Sequence, residues 1–157
     1  MRIKAQRIQE QIDFAAADTI CFFAPYPAEL TALQRQKWLP LIDRINAGGA
    51  EFTTTEGLNV PDLSDKTKAF LKKRLEALNE DDFNAFCAVS GGCRSVILAF
   101  HVLDGFLSAE DAFELAVLEE TYQNQFWKTD EDAVVARENR KRDVISAAEK
   151  MKGISNG

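Results

Sequence analysis

Two adjacent carboxylates (Glu119 and Glu120), one histidine (His101), three cysteines and a Ser90-Gly91-Gly92 run are the residues whose types could do chemistry here. A carboxylate pair divides acid and base roles only when both groups reach one site, whereas neighbours on a helix point about 100° apart. Glu119 and Glu120 therefore do not read as a catalytic dyad. His101 lies within Cys93 to Leu103, CRSVILAFHVL, the most apolar stretch of the chain. A Ser/His or Cys/His relay would have to be built inside that stretch, so His101 reads as a core histidine. Cys21, Cys87 and Cys93 are odd in number and form no C-x-x-C spacing. Neither a disulfide framework nor a zinc site is indicated, and a reducing compartment fits best. Ser90-Gly91-Gly92 could offer free N–H groups to an anion, but it lacks the lysine and the preceding strand of a phosphate loop. Close helix packing explains its small residues better. No catalytic residue, metal, cofactor or small-molecule substrate is expected.

What remains is a surface. The stretch Ala112 to Trp127, AFELAVLEETYQNQFW, reads as one helix with two apolar faces. Phe113, Ala116, Val117 and Trp127 gather on one face, and Leu115, Leu118 and Tyr122 on nearly the opposite one. Glu120 falls in the middle of the first face, where a carboxylate would lose hydration unless something pairs with it. Two readings of Glu120 stand side by side: an internal pair with Arg94 or a cation from another helix, or a contact with a bound protein. Trp38 and Trp127 suit core anchoring, although an aromatic beside an acid at an exposed seam is a common hot-spot composition.

The elements that must position this helix follow from periodicity and punctuation. Arg2 to about Ala17 carries Ile8, Ile12 and Ala15 on one stripe. Thr19 to Ala24 is a short apolar run, either a strand or a buried turn, closed by Pro25 and Pro27. Ala28 to about Asn46 is helical through Leu30, Leu33, Trp38, Leu41, Ile42 and Ile45, with Pro40 expected to kink it or to start a second short helix. Gly48 and Gly49 close it. Phe52 to Thr55 suggests a short strand or extended loop before Gly57 and Pro61. Ser64 is placed to cap a helix carrying Phe70, Leu71, Leu75 and Leu78. Another begins near Glu80 with Phe83, Phe86 and Cys87, and Ser90-Gly91-Gly92 is expected to interrupt it. Cys93 to Leu103 is apolar all round, the mark of a helix buried on several sides. Asp104 and Gly105 end it, and Ser108 with Asp111 starts the two-faced helix. Thr129 is expected to cap a last amphipathic helix that runs to about Lys152 with basic residues toward its end. The fold class is mainly α: one helical domain over residues 1–152, of about six helices and one or two short strands or extended segments, with a disordered tail at 153–157.

Composition bounds the partners. The chain has 157 residues, 46% hydrophobic and 28% charged, as in an ordinary globular domain. A net charge of −6 and a pI near 4.9 oppose nucleic acid or anionic membrane surfaces as partners. The basic run Arg137 to Arg142 is interrupted by Glu138 and Asn139 and followed by Asp143, so it reads as a solvated helix face. No apolar run approaches the roughly 20 residues needed to span a bilayer, and no membrane insertion is expected.

Beyond these patterns, Ser90 to Trp127, SGGCRSVILAFHVLDGFLSAEDAFELAVLEETYQNQFW, resembles the C-terminal helical domain of the Atp12-type assembly chaperones of F1 ATP synthase. DTICFFA (Asp18 to Ala24) is similar to that family's Cys-containing apolar block. QRQKWLPLIDRI (Gln34 to Ile45) is similar to its Gln and Trp helix, and TTTEGLNVP (Thr53 to Pro61) to its Thr/Gly/Pro connection. The resemblance covers roughly residues 8 to 150. It differs at Lys128, where the family usually has glycine, and in lacking the family's N-terminal β-rich domain, which implies an expressed fragment or a naturally shortened relative. The resemblance implies a chaperone without nucleotide turnover that binds the free F1 α subunit and keeps it from aggregating until β subunits join. It places partner binding on Glu120 and Glu119, with Tyr122, Gln123 and Trp127 beside them, and Glu120→Lys is expected to abolish capture while sparing the fold. It implies the mitochondrial matrix or the cytoplasm of an α-proteobacterium, and the absence of a transit peptide leads to the expectation of the bacterial case. The alternative is a helical, non-enzymatic adaptor that uses the same helix on a different complex.

Overall fold

Apolar periodicity and serine or asparagine caps divide the chain into helices, and the computed structural model describes them over residues 3–56, 62–127 and 130–151. Eight α-helices occur among these residues: α1 (Lys4–Ala15), α2 (Ala28–Ala47), α3 (Asp65–Glu76), α4 (Glu80–Cys93), α5 (Val96–Leu103), α6 (Ala109–Ala116), α7 (Leu118–Gln123) and α8 (Glu131–Ala148). The mainly α class is as expected. The expected strands shrink to one parallel bridge between Phe22 and Thr55, where Phe23 N–H donates to Thr55 O at 2.8 Å and Thr55 N–H to Cys21 O at 2.9 Å. Thr19–Cys21 itself is a single 3-10 turn.

α5 is the hub. All eight of its residues are buried, and it packs against α1, α2, α4 and α6. Each large aliphatic or aromatic side chain so buried is worth about 1.5–3 kcal/mol. Its N-terminus is closed by a polar pair that apolar periodicity does not flag. Ser95 caps the helix by accepting from Leu98 N–H at 3.0 Å, while its hydroxyl donates to Asp18 at 2.6 Å. Asp18 also accepts from the N–H groups of Ile97 at 2.9 Å and Ile20 at 3.2 Å. Full burial pushes the Asp18 carboxyl up to about 6, against these donors.

Four expectations about breaks are corrected. Pro40 does not start a second helix: it lies inside α2, which continues to Ala47 as one helix. Ser90-Gly91-Gly92 lies inside α4, and the chain breaks instead at Arg94, whose φ of 54° is left-handed. Gly92 is small because α8 passes against it: a Cβ there would sit 2.2 Å from Val144 Cγ2. The close-packing reading is therefore right for Gly92 but not for Gly91, which has open space around it, and the expected interruption does not occur. The two-faced helix is also broken, at Val117 (φ −103°, ψ 19°), into α6 and α7. Finally, α8 ends at Ala148 without a basic residue in its last turn, and Met151 just beyond it is buried. Asp130 caps α8 by accepting from Asp132 N–H. Thr129, together with Gly57 and Pro61, lies outside the described residues, as does the tail 153–157.

Candidate functional site

The geometry of the candidate residues follows from the break at Val117. Phe113 and Val117, from the first apolar face, both turn into the core. At the break, the Leu115 carbonyl accepts the indole N–H of Trp38 at 2.9 Å, so α2 grips the chain where α6 becomes α7. Tyr122 reaches back across the same seam, its hydroxyl donating to Glu29 of α2 at 3.3 Å. After Gln123 the chain curls, with the N–H groups of both Phe126 and Trp127 donating to the Gln123 carbonyl. Trp127 thus leaves the helix face on which a continuous wheel places it, and it is 74% exposed.

Glu119 and Glu120 are exposed as well. The Glu120 side chain retains 51% of its accessible surface, so the expected dehydration of its carboxylate does not occur. Its cation is Arg137 of α8, at 3.9 Å, rather than Arg94. An exposed pair at that distance contributes about 0–1 kcal/mol, which leaves Glu120 available to another group.

Glu119, Glu120 and Gln123 border one cleft of about 460 Å³, whose other walls include Phe22, Trp38, Arg94, Ala116 and Arg140. The two carboxylates that adjacent helical positions were expected to separate therefore face a common space. Tyr122 and Trp127 do not line it. Tyr122 packs at a tilt of 58° against Phe126, ring centroids 5.3 Å apart, and Phe126 is 64% exposed. The aromatics form a second patch along the same segment. Phe126 is absent from the sequence-based set, although its place between Gln123 and Trp127 was visible there. Arg137 and Arg140 were set aside with the basic run as a solvated face, because nothing local shows that α8 turns them toward α7. A larger groove of about 560 Å³ lies between α4 and the end of α8, and it contains none of the candidate residues.

The other chemistry-bearing groups are elsewhere. His101 is 1% exposed, its Nδ1 2.8 Å from Ile97 O, and desolvation lowers its pKa. Cys21 and Cys93 are buried thiols; burial pushes Cys21 far up and Cys93 up to about 12, which suppresses the nucleophilic thiolate. Among the described residues, no group of three or more His, Cys, Asp or Glu side chains is arranged to hold a metal ion, and no helix is long and apolar enough to cross a membrane.

No protein-family model matches the chain. The mitochondrial Atp12 protein of Schizosaccharomyces pombe is 30% identical over 145 residues, covering 87% of this chain and 50% of that protein. The crystal structure of Atp12 from Paracoccus denitrificans has the same fold, with a TM-score of 0.88 at 22% identity, over 94% of this chain and 64% of that one. A protein of Agrobacterium tumefaciens, described as a candidate chaperone, matches with a TM-score of 0.84 at 27% identity over 94% of this chain and 56% of that one. The chain therefore spans about half the length of the curated relative it matches. Sequence and fold point the same way: over nearly all of its length the chain is similar to part of the Atp12 proteins.

Proposed function

We propose that this chain is an assembly chaperone of F1 ATP synthase, which binds the unassembled α subunit through α7 and the aromatic turn that follows it. The observation that carries this reading is the exposure of Trp127 and Phe126 beside two solvated carboxylates, on a segment anchored to the core by Trp38. Large exposed aromatics next to charge are the composition of a protein-binding surface. An unassembled subunit exposes apolar area that such a surface covers, and the carboxylates disfavour partners whose own acids face them. Glu120, Glu119, Tyr122, Gln123 and Trp127 are the contact residues in this reading, with Phe126 added. The relationship to Atp12 proteins supports an F1 partner, and relatives in Paracoccus and Agrobacterium favour the bacterial cytoplasm as its compartment. Immobilised chain is expected to retain isolated F1 α subunit and to let β subunit pass. Retention of neither subunit, with another cellular protein held specifically, would transfer the reading to an adaptor of a different complex.

A further inference from the structure

The cleft bordered by α7 is lined by two arginines as well as by Glu119 and Glu120. Arg94 and Arg140 both line it, and neither has a salt-bridge partner among the described residues. Arg140 is fixed in place. Its guanidinium lies 5.2 Å over the Phe113 ring, and its Nε is buried without an acceptor. Burial, and next the neighbouring Arg94 charge, press its pKa below the ordinary arginine value. Arg94 occupies a left-handed backbone position at φ 54°, a conformation that residues other than glycine rarely adopt. Two like charges beside one another, one with an orphaned donor, form an unusual arrangement in a chain of net charge −6. Glu120 offsets it only in part: its charge acts on Arg140, but its salt-bridge contact, at 3.9 Å, is with Arg137.

A planar guanidinium fork is matched best by a carboxylate, which accepts two parallel hydrogen bonds. The rest of the cleft suits a peptide rather than a free ion. Phe22 and Ala116 offer apolar wall, while Glu119, Glu120 and Gln123 offer acceptors for backbone N–H or hydroxyl donors. We propose that the cleft receives an acidic side chain of the bound protein partner, its carboxylate placed between Arg94 and Arg140 and the flanking residues lying on Phe22 and Ala116. This site is distinct from the aromatic turn and adds a charge readout to it; it rests on the chaperone reading only for the identity of the partner. Glu119 and Glu120 at the rim repel an acid that approaches in the wrong register, so the pattern selects an acid in the cleft and none opposite the rim.

The site can be tested on the full chain with two short blocked peptides, identical except for a central glutamate or glutamine, and with inorganic phosphate. The readout is the arginine side-chain N–H resonances. The glutamate peptide is expected to shift the Arg140 and Arg94 signals saturably, at least about tenfold more tightly than the glutamine peptide; Arg94→Gln should abolish the shift of the Arg140 signal, and Arg140→Gln that of the Arg94 signal. Arg94 is exposed, so Arg94→Gln carries the test alone should Arg140→Gln fail to fold. Equal binding of both peptides, or phosphate binding as tightly as the glutamate peptide, overturns the proposal. If the glutamate peptide binds but wild-type chain retains no F1 α subunit, the cleft stands and the F1 reading falls. If α subunit is retained equally by wild type and both variants and no peptide shift occurs, the F1 reading stands and the cleft assignment falls.

Discussion

α5 and the segment from Leu118 to Trp127 both carry large apolar or aromatic side chains, yet one is sealed on every side and the other faces solvent. The difference lies less in composition than in what reaches them. α5 is enclosed by α1, α2, α4 and α6, whereas α7 packs mainly on α2 and α6, with one loose ion pair to α8. The two tryptophans show this most directly. Trp38 is 1% exposed and its indole N–H is satisfied by Leu115; Trp127, on the held segment, is 74% exposed. A surface for another protein can thus be made by attaching an aromatic turn to a rigid core through a few contacts at its base.

The comparison can be broken by truncating one tryptophan at a time. Trp38→Ala removes a filled core volume and the grip on the α6–α7 junction, and is expected to cost about 3–5 kcal/mol in urea unfolding. A loss under about 1 kcal/mol would mean that α7 is not anchored through α2.

Asp18 sharpens the core side of the comparison. Its folded pKa of about 6 stands above the ordinary 3.8, so the folded state holds the proton more tightly than the unfolded chain. Its contribution to stability is present in full below about pH 4 and is lost as the pH rises through about 6. The difference between 3.8 and about 6 corresponds to about 3 kcal/mol. Urea midpoints measured from pH 4 to 7 should fall over that window in wild type and stay flatter in Asp18→Asn.

The two glycines of α4 make a smaller and more local contrast. Gly92→Ala drives a Cβ into Val144 and is expected to destabilise by about 1–3 kcal/mol, relieved in part by Val144→Ala. Gly91 has open space around it, and Gly91→Ala should stabilise the helix by up to about 1 kcal/mol. Thermal melts of the three variants decide both signs. The smallest expected effect is that of Trp127→Ala, within about 0.5 kcal/mol of wild type in the same unfolding assay. A larger loss would place Trp127 in the core and remove the exposed aromatic turn on which the binding reading depends.

What the amino-acid sequence determined by itself is what local physics encodes. Ile8, Ile12 and Ala15 form the α1 stripe that the period of 3.6 requires, and Ser64 and Ser108 cap α3 and α6 where hydroxyl and N–H lie three residues apart. The all-round apolarity of Val96 to Leu103 announced a helix buried on every side, and the lone histidine within it a core residue. Glu119, Glu120, Tyr122, Gln123 and Trp127 were marked by their motif, but their arrangement was not legible. Tertiary structure alone decided that the chain breaks at Arg94 and Val117, neither glycine nor proline, and that it continues through Pro40 and through two consecutive glycines. The physical reason is distance along the chain. Trp38 meets Leu115 across 77 residues, and Val144 meets Gly92 from another helix, so no window of helical periodicity contains the contact that sets the break. The same packing puts Glu120 in water, Trp127 on the surface and two arginines into one cleft, which are the features any partner would meet first.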